Sequence, residues 1–345
     1  TAGAMSSMFK APVAAIVFAV EIFSLDLVFT SLVPLLLASV AAVITSYFFR
    51  GTDVLFSFEL LDAWRVKDII FYVFLGLATG IASVYFSRMY FLITRFFGWF
   101  SNAYVKIGIA AFAIGLMLYL FPPLYGEGYG LINNLLNGET EAALSGIQYQ
   151  IDFNNVWIVI AILLIIAVFK AIAMTTTFAA GGVGGIFIPT LFMGSALGNS
   201  VAKVINQFGF EVSESNFTLI GMTGLMAGVL HAPLTAIFLI AEITGGYDLF
   251  VPLMLVATIS FGFTKYFVPN SIYTAELAKR GELITKDKDK NALMMLNIDR
   301  IIETDFIKIS SEMTLGELLR KGVSRSSRNI FPVVDETEQF LGIVL

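Results

Sequence analysis

Long apolar runs that carry no charged residue alternate with short polar segments along most of the chain. The runs are Leu27–Phe49, Ile69–Ser87, Ile107–Gly126, Asn154–Phe169, Ala171–Ala202 and Leu249–Thr264. A membrane core about 30 Å thick needs roughly 20 apolar residues per helix, and several of these runs are long enough. The shorter runs are expected to tilt, to end early or to re-enter the membrane. The pattern therefore predicts an all-α polytopic membrane protein.

The apolar pattern stops near Leu277, where a charged segment begins. Lys286–Lys290 alternates lysine with aspartate, which is typical of a solvated connector. We therefore predict a membrane domain over residues 1–280, a charged linker over 281–298 and a small α/β unit over 299–345.

The last segment alternates apolar and polar residues as short strands and helices of soluble proteins do. Ile307–Ile309 predicts a strand, and Thr314 with Glu317 three residues later predicts a capped helix start. Ile330–Asp335 and Phe340–Leu345 predict two buried strands around a polar turn. The expected order is strand, helix, strand, strand.

An internal repeat relates two segments of the membrane part. Gly3–Ile22 aligns with Gly224–Ile243 at a constant offset of 221. The matched pairs are Gly3/Gly224, Met5/Met226, Ala11/Ala232, Pro12/Pro233, Ala15/Ala236, Ile16/Ile237, Glu21/Glu242 and Ile22/Ile243. Five hydrophobic segments lie between the copies, an odd number of crossings. The copies are therefore predicted to run in opposite directions, as inverted repeats do in many transporters.

Each copy of the repeat places a proline where a short helix can begin, because the missing N–H is not needed there. Pro12 and Pro233 are each followed nine residues later by a glutamate, Glu21 or Glu242. The repeat favours a pair of broken helices near a binding site over the alternative of kinked packing helices. The glutamates are interpreted as structural, at an interface or as caps of neighbouring helices.

A glycine cluster interrupts the run Ala171–Ala202. Four of the five residues 181–185 are glycine, and Pro189 then suits the first turn of a new helix. A helix that starts at membrane depth has unpaired N–H groups and a partial positive charge, so it can bind an anion. The alternative is helix packing by Gly-x-x-x-Gly spacing, which is the preferred interpretation for Gly194 with Gly198.

Composition narrows the classes of function. The chain is 57% hydrophobic and 14% charged, with no cysteine and one histidine, and its mean hydropathy is +0.84. Disulfides and thiolate metal sites are excluded, and a lone histidine argues against a metal-dependent membrane enzyme. No His-Glu-x-x-His or Gly-x-Ser-x-Gly motif is present. We predict no enzyme activity, no metal site and no nucleic-acid partner.

Three motifs together resemble the CLC chloride channel and transporter family. Gly184-Gly185-Ile186-Phe187-Ile188-Pro189 looks like the family's Gly-x-Phe-x-Pro signature, and the paired Ala-Pro segments look like those of its two halves. The segment 271–277 looks like the start of its last membrane helix. The resemblance implies that chloride is held by the backbone N–H groups of Ile186 and Phe187 and by the hydroxyl of Tyr273. Gly184, Gly185 and Pro189 would shape that helix start.

The resemblance also implies an assembly and a location. The family implies an integral protein of the cell membrane, surrounded by lipid, that forms a homodimer with one anion path per subunit. The C-terminal unit resembles the start of a cytoplasmic CBS module, with Phe-Pro-Val-Val-Asp at 331–335 its most typical part. No cofactor is expected. Chloride is the transported ligand, and a complete pair of CBS modules would be able to hold an adenine nucleotide.

Two departures from the family pattern affect the expected mechanism. The family's Gly-Ser-Gly-Ile-Pro and Gly-Lys/Arg-Glu-Gly-Pro segments are absent, and we expect them upstream of Thr1 in a longer protein. Family members that exchange chloride for protons usually carry a second glutamate where this chain has Ile22. Passive, channel-type conduction is therefore predicted. The alternatives are proton-coupled exchange and, from another class, a nucleotide-sensing CBS unit.

Overall fold

The computed structural model describes residues 1–23, 29–51, 56, 64–148, 151–244, 247–280, 302 and 305–345. The chain divides into two compact units, Thr1–Leu283 and Ile284–Leu345. The predicted linker 281–298 lies outside the described residues.

The first unit is built from helices. They are α1 Ala2–Phe9, α2 Pro12–Phe23, α3 Phe29–Arg50, α4 Ile69–Gly98, α5 Ala103–Leu120, α6 Tyr129–Leu136, α7 Thr140–Ala143, α8 Val156–Ala179, α9 Phe187–Gln207, α10 Glu214–Leu230, α11 Pro233–Ile243, α12 Phe250–Phe267 and α13 Ala275–Arg280. Two 3₁₀ turns, Val66–Asp68 and Pro122–Leu124, precede α4 and follow α5. Five helices of the described part are long and apolar enough to cross a membrane, namely α3, α4, α5, α8 and α12. The prediction of an all-helical membrane protein is confirmed.

One helix spans parts of two uncharged runs. Lys170 separates Asn154–Phe169 from Ala171–Ala202 in the sequence, and α8 continues through that lysine to Ala179. The helix ends instead at the glycine cluster. A charged residue inside an apolar run need not end a helix when the charge finds partners in the protein interior.

Lys170 has such partners. Its side chain is buried, with 4% of the residue exposed. The ammonium donates hydrogen bonds to the carbonyl oxygens of Leu124 (3.1 Å) and Gly126 (2.8 Å). It also lies 4.5 Å from the centroid of the Phe192 ring, where the face of the ring attracts a cation. The lysine thus joins α8 to the loop after α5.

The repeat found in the sequence is also a repeat of backbone conformation. Lys10 follows α1 with φ 55° and ψ 31°, and His231 follows α10 with φ 56° and ψ 37°. Left-handed conformation is uncommon for residues other than glycine, so two occurrences at the same offset of 221 are informative. In each copy a proline-started helix, α2 or α11, begins two residues later.

Glu242, near the end of α11, binds the start of α2. Its two carboxylate oxygens accept hydrogen bonds from the backbone N–H groups of Val13 (3.0 Å) and Ala14 (2.8 Å). These N–H groups belong to the first turn of α2, where a helix has no internal acceptor for them. The carboxylate therefore caps α2 from another helix.

Glu21, near the end of α2, makes the reciprocal contact. It accepts hydrogen bonds from the N–H groups of Leu234 (3.1 Å) and Thr235 (2.8 Å), and from the Thr235 hydroxyl (2.7 Å). Because the end of each helix lies at the start of the other, α2 and α11 are antiparallel. The prediction of two inverted halves is confirmed, and so is the interpretation of the glutamates as helix caps.

Helices α9 and α10 pack with their backbones in direct contact. A Cβ atom on Gly194 would lie 2.6 Å from the carbonyl oxygen of Gly221, and one on Gly198 would overlap the carbonyl of Phe217. Glycine is thus required at this crossing. The interpretation of Gly194 and Gly198 as packing residues is confirmed.

The second unit contains a small sheet and a helix. Its elements are β1 Ile309–Ser310, α14 Leu315–Glu317, a π-helical turn Leu318–Val323, β2 Phe331–Val334 and β3 Phe340–Val344. The strand order is β1-β2-β3, with β1 parallel and β3 antiparallel to β2. The predicted order of strand, helix, strand, strand is confirmed.

Two details of this unit differ from the prediction. The first strand begins at Ile309 rather than Ile307. The last strand is mostly exposed, with Phe340 63% exposed, because the described residues place no layer over it. The predicted capping box is present: Thr314 and Glu317 cap each other, and hydrogen bonds from Thr314 lower the pKa of the Glu317 carboxyl.

Candidate functional site

The glycine segment forms a tight turn between α8 and α9. Gly181 has φ +96°, a conformation that residues with a side chain rarely adopt. The N–H of Gly182 donates to the carbonyl of Thr177 at 2.9 Å. A Cβ atom on Gly182 would lie 2.8 Å from that same oxygen. Glycine at these two positions allows the chain to leave α8 and turn sharply.

Helix α9 begins directly after this turn. Ile186 is its N-cap and Phe187 its first residue, so Pro189 is the third. Proline is tolerated in the first turn because the N–H that it lacks has no acceptor inside the helix. The predicted position of Pro189 is confirmed.

The start of α9 presents free hydrogen-bond donors. Among the described residues, the backbone N–H groups of Gly185, Ile186 and Phe187 make no hydrogen bond. The Ile186 side chain is buried, at 5% exposure, whereas Gly184 and Gly185 are exposed. The helix dipole adds about half a positive charge at this end. The arrangement can therefore hold an anion through oriented dipoles, and no side chain of the two glycines covers the donors.

The repeat and the glycine segment meet at Phe187. Its ring centroid lies 5.0 Å from that of Phe9, the last residue of α1, and 6.2 Å from that of Phe18 in α2. The sequence named the first repeat copy and the glycine cluster as separate features. The structure brings them together at one end of α9.

Tyr273 is the side chain that the family resemblance adds to the chloride site. It is 39% exposed, in the turn before α13. Its phenol is close enough to Tyr90 for an electrostatic interaction, and the Tyr90 ring lies 6.5 Å from that of Phe178. The Phe178 ring borders Gly184, where a Cβ atom would lie 3.6 Å away. Two aromatic side chains thus link Tyr273 to the glycine segment, and its chloride contact stays a prediction.

Ile22, at the position that bears on proton coupling, is an apolar packing residue. It is partly buried and packs against the main hydrophobic core. Its neighbour Glu21 is engaged with the first turn of α11.

Sequence reasoning assigned no role to the buried Lys170. A single lysine between two apolar runs was the available signal. Within the described residues, no cluster of three or more histidine, aspartate or glutamate side chains able to hold a metal is found.

Comparison with known proteins identifies a protein family that this chain matches. A family model described as "Voltage gated chloride channel" matches residues 1–265. The chain is 28% identical over 287 residues to a putative chloride channel protein ClcB-like of Ralstonia nicotianae, covering 81% of this chain and 61% of the relative. It is 27% identical over 282 residues to an H(+)/Cl(-) exchange transporter ClcA of Vibrio cholerae, covering 79% and 56%.

A solved structure shares the fold. The structure of a slow cyanobacterial Cl-/H+ antiporter matches with a TM-score of 0.64 and 22% identity, covering 81% of this chain and 63% of that one. At this identity the likeness shows the fold alone. The chain spans about three fifths of the length of the curated relatives that it matches.

Proposed function

Because the chain belongs to the voltage-gated chloride channel family, we propose that it moves chloride across a membrane by passive, channel-type conduction. The observation that supports this proposal is the start of α9. It offers free N–H groups of Gly185, Ile186 and Phe187 beside exposed glycines, at a helix end with positive potential.

The chemistry of the donors suits conduction. The residues from Gly181 to Pro189 contain no lysine or arginine. A full positive charge would hold an anion tightly, whereas dipoles bind it strongly enough to enter and weakly enough to leave. The hydroxyl of Tyr273 is proposed as a further donor to the same ion.

Proton-coupled exchange is the second candidate. One relative is named an H(+)/Cl(-) exchange transporter, and the protein of the solved structure is described as a Cl-/H+ antiporter. Against exchange stands Ile22, which packs in the core and has no ionisable group. We therefore favour conduction, because a proton path through this position lacks a carrier.

We further propose a membrane location, a homodimer and a cytoplasmic CBS module at the C-terminal end. The five membrane-capable helices support the location. The strand, helix, strand, strand order of the second unit supports the module. If the module binds nucleotide, it would be the regulated element of the protein.

The deciding experiment measures chloride and proton flux together. Full-length protein is placed in liposomes with a chloride gradient, and internal pH is recorded beside chloride efflux. We expect chloride efflux with no change of internal pH beyond that of empty liposomes. Steady proton movement in fixed ratio to chloride would establish exchange instead, and absence of any chloride flux would reject both functions.

Tyr273→Phe tests the proposed hydroxyl donor. The loss of one neutral hydrogen bond, worth on the order of 1 kcal/mol, should weaken chloride binding about fivefold without abolishing it. Binding is measured by titration calorimetry on the full-length protein. Ile186→Leu is the matched control, because its donor is backbone and its affinity should barely change. Equal affinities of Tyr273→Phe and the original protein would remove Tyr273 from the site.

A further inference from the structure

An apolar groove runs along the outside of the first unit between α4, α8 and α9. Its volume is about 410 Å³. We call it the α4–α8–α9 groove and define it by Phe71, Phe74, Leu164, Leu197, Val201 and Ile205. Ser200 also lines it, but the Ser200 hydroxyl donates to the carbonyl of Ala196 at 2.7 Å. The groove therefore offers no unsatisfied polar side chain to a ligand.

The helices around the groove indicate that its ligand is apolar. Two of its three walls, α4 and α8, are helices that are long and apolar enough to cross a membrane. Phe74 and Leu164, on its edge, are 57% and 37% exposed. A groove on such a surface opens to hydrocarbon rather than to water, and an empty one would leave its lining without van der Waals partners.

The length of the groove matches one leaflet. Its α9 wall runs from Leu197 to Ile205, which at 1.5 Å per residue is about 12 Å. Half of a hydrocarbon core that is about 30 Å thick is about 15 Å. A single acyl chain that enters from the membrane surface would therefore fill the groove along its length.

A lysine precedes the groove lining along the chain. Lys67 lies in the 3₁₀ turn Val66–Asp68 that leads into α4, four and seven residues before Phe71 and Phe74, a spacing that favours one face of a helical segment. Lys67 is exposed and makes no ion pair among the described residues. The neighbouring Asp68 is engaged by Arg65, at 3.2 Å. A free ammonium thus lies one turn beyond the apolar lining.

The same end of the groove carries aromatic residues and one acid. The ring of Phe210 packs on Phe71 with centroids 4.9 Å apart, and Phe208 is 72% exposed. Phe208 and Phe210 extend the apolar lining toward this end of the groove. Glu211 follows Phe210 and is exposed, so its carboxylate opposes an anionic headgroup.

We propose that the α4–α8–α9 groove, together with Lys67, is a binding site for an anionic membrane phospholipid. One acyl chain lies in the groove, and the phosphate pairs with the Lys67 ammonium. The site is separate from the start of α9, so the proposal stands or falls independently of the anion pathway.

The test compares lipids that differ only in headgroup. Full-length protein in detergent is titrated with phosphatidylglycerol or phosphatidylcholine of identical acyl chains, and bound lipid is counted by native mass spectrometry. We expect tighter retention of phosphatidylglycerol and a higher melting temperature with it. Lys67→Gln should lower its apparent affinity about fivefold, since a basic residue near the surface is worth about a factor of that size.

Three further variants complete the design. Leu164→Trp fills the groove from its exposed edge and should reduce binding of both lipids. Glu211→Gln should keep or raise phosphatidylglycerol affinity, because it removes an opposing charge. Lys106→Gln, on α5 outside the groove lining, is the matched control and should change nothing. Three outcomes would each overturn the proposal. The first is equal retention of the two lipids, and the second is an equal effect of Lys67→Gln and Lys106→Gln. The third is that no lipid binds because another segment or a second copy covers the groove.

Discussion

Replacing Gly198 with valine is expected to separate α9 from α10 and to lower the free energy of unfolding by about 3 kcal/mol or more. A Cβ atom at this position would overlap the carbonyl of Phe217, which is backbone and has no rotamer to change. One turn away, a Cβ atom on Gly194 would also lie only 2.6 Å from the backbone carbonyl oxygen of Gly221, so the two backbones are in contact over more than one turn. Thermal unfolding of the full-length protein in detergent measures the loss.

Gly115→Ala provides the control for this substitution. Gly115 lies in α5, where an added Cβ atom would meet no heavy atom within 4 Å apart from the backbone of its own helix and its chain neighbours. Alanine there should be neutral or stabilise the helix by roughly 0.5–1 kcal/mol, because glycine is a poor helix former. A Gly198→Val protein as stable as Gly115→Ala would show that the two helices do not cross at their backbones. Because α9 carries the proposed anion site at its start, Gly198→Val should also reduce chloride binding.

Glu242→Ala is expected to destabilise the protein by about 2–4 kcal/mol. The substitution removes two hydrogen bonds from Val13 and Ala14 to a carboxylate. Each hydrogen bond to a charged group is worth about 1.5–3 kcal/mol. Part of this loss is offset, because the variant no longer has to remove a carboxylate partly from water when it folds. The free energy of unfolding is compared with that of the original protein in the same detergent.

Two further variants test the reciprocal capping of α2 and α11 by Glu242 and Glu21. Glu242→Gln keeps one acceptor oxygen and should lose about half as much stability, and Glu21→Ala should cost about as much as Glu242→Ala. Glu141→Ala, at an exposed position in α7, is the control and should have little effect. If Glu21→Ala and Glu242→Ala both behave like Glu141→Ala, the carboxylates do not cap the helices.

The features that sequence reasoning predicted best are those dictated by local backbone chemistry. Proline at a helix start and consecutive glycines at a turn act on their own residues, so the bounds of α2, α11 and α9 could be anticipated. The repeat also predicted the relative direction of α2 and α11, because two copies separated by an odd number of membrane crossings must be inverted. These predictions needed no knowledge of distant contacts.

The features that it missed depend on partners far away in the chain. Capping by Glu21 and Glu242 was one of several interpretations, and the sequence could not name Leu234 or Val13 as the groups capped. No role was predicted for Lys170, because nothing local shows that its ammonium would donate to the carbonyls of Leu124 and Gly126. The structural role of a charged residue inside an apolar run is therefore difficult to predict from the sequence pattern.

The candidate site divides in the same way. The free N–H groups at the start of α9 follow from the glycine turn, whereas Ile186 and Phe187 were named by the family resemblance. The packing of Phe9 and Phe18 on Phe187 is tertiary and was not predicted. The position of Tyr273 relative to the donors also depends on tertiary packing, through Tyr90 and Phe178.

The cap on α2 has a consequence for when this helix can become stable during synthesis of the protein. Val13 and the oxygen that it binds are separated by 229 positions. A ribosome that adds about 5–20 residues per second needs roughly 10–45 s to cover that distance. During this interval α2 has left the ribosome while its cap does not yet exist. The emerging helix must meanwhile rely on water, lipid headgroups or the insertion machinery, and it becomes fixed only when α11 arrives.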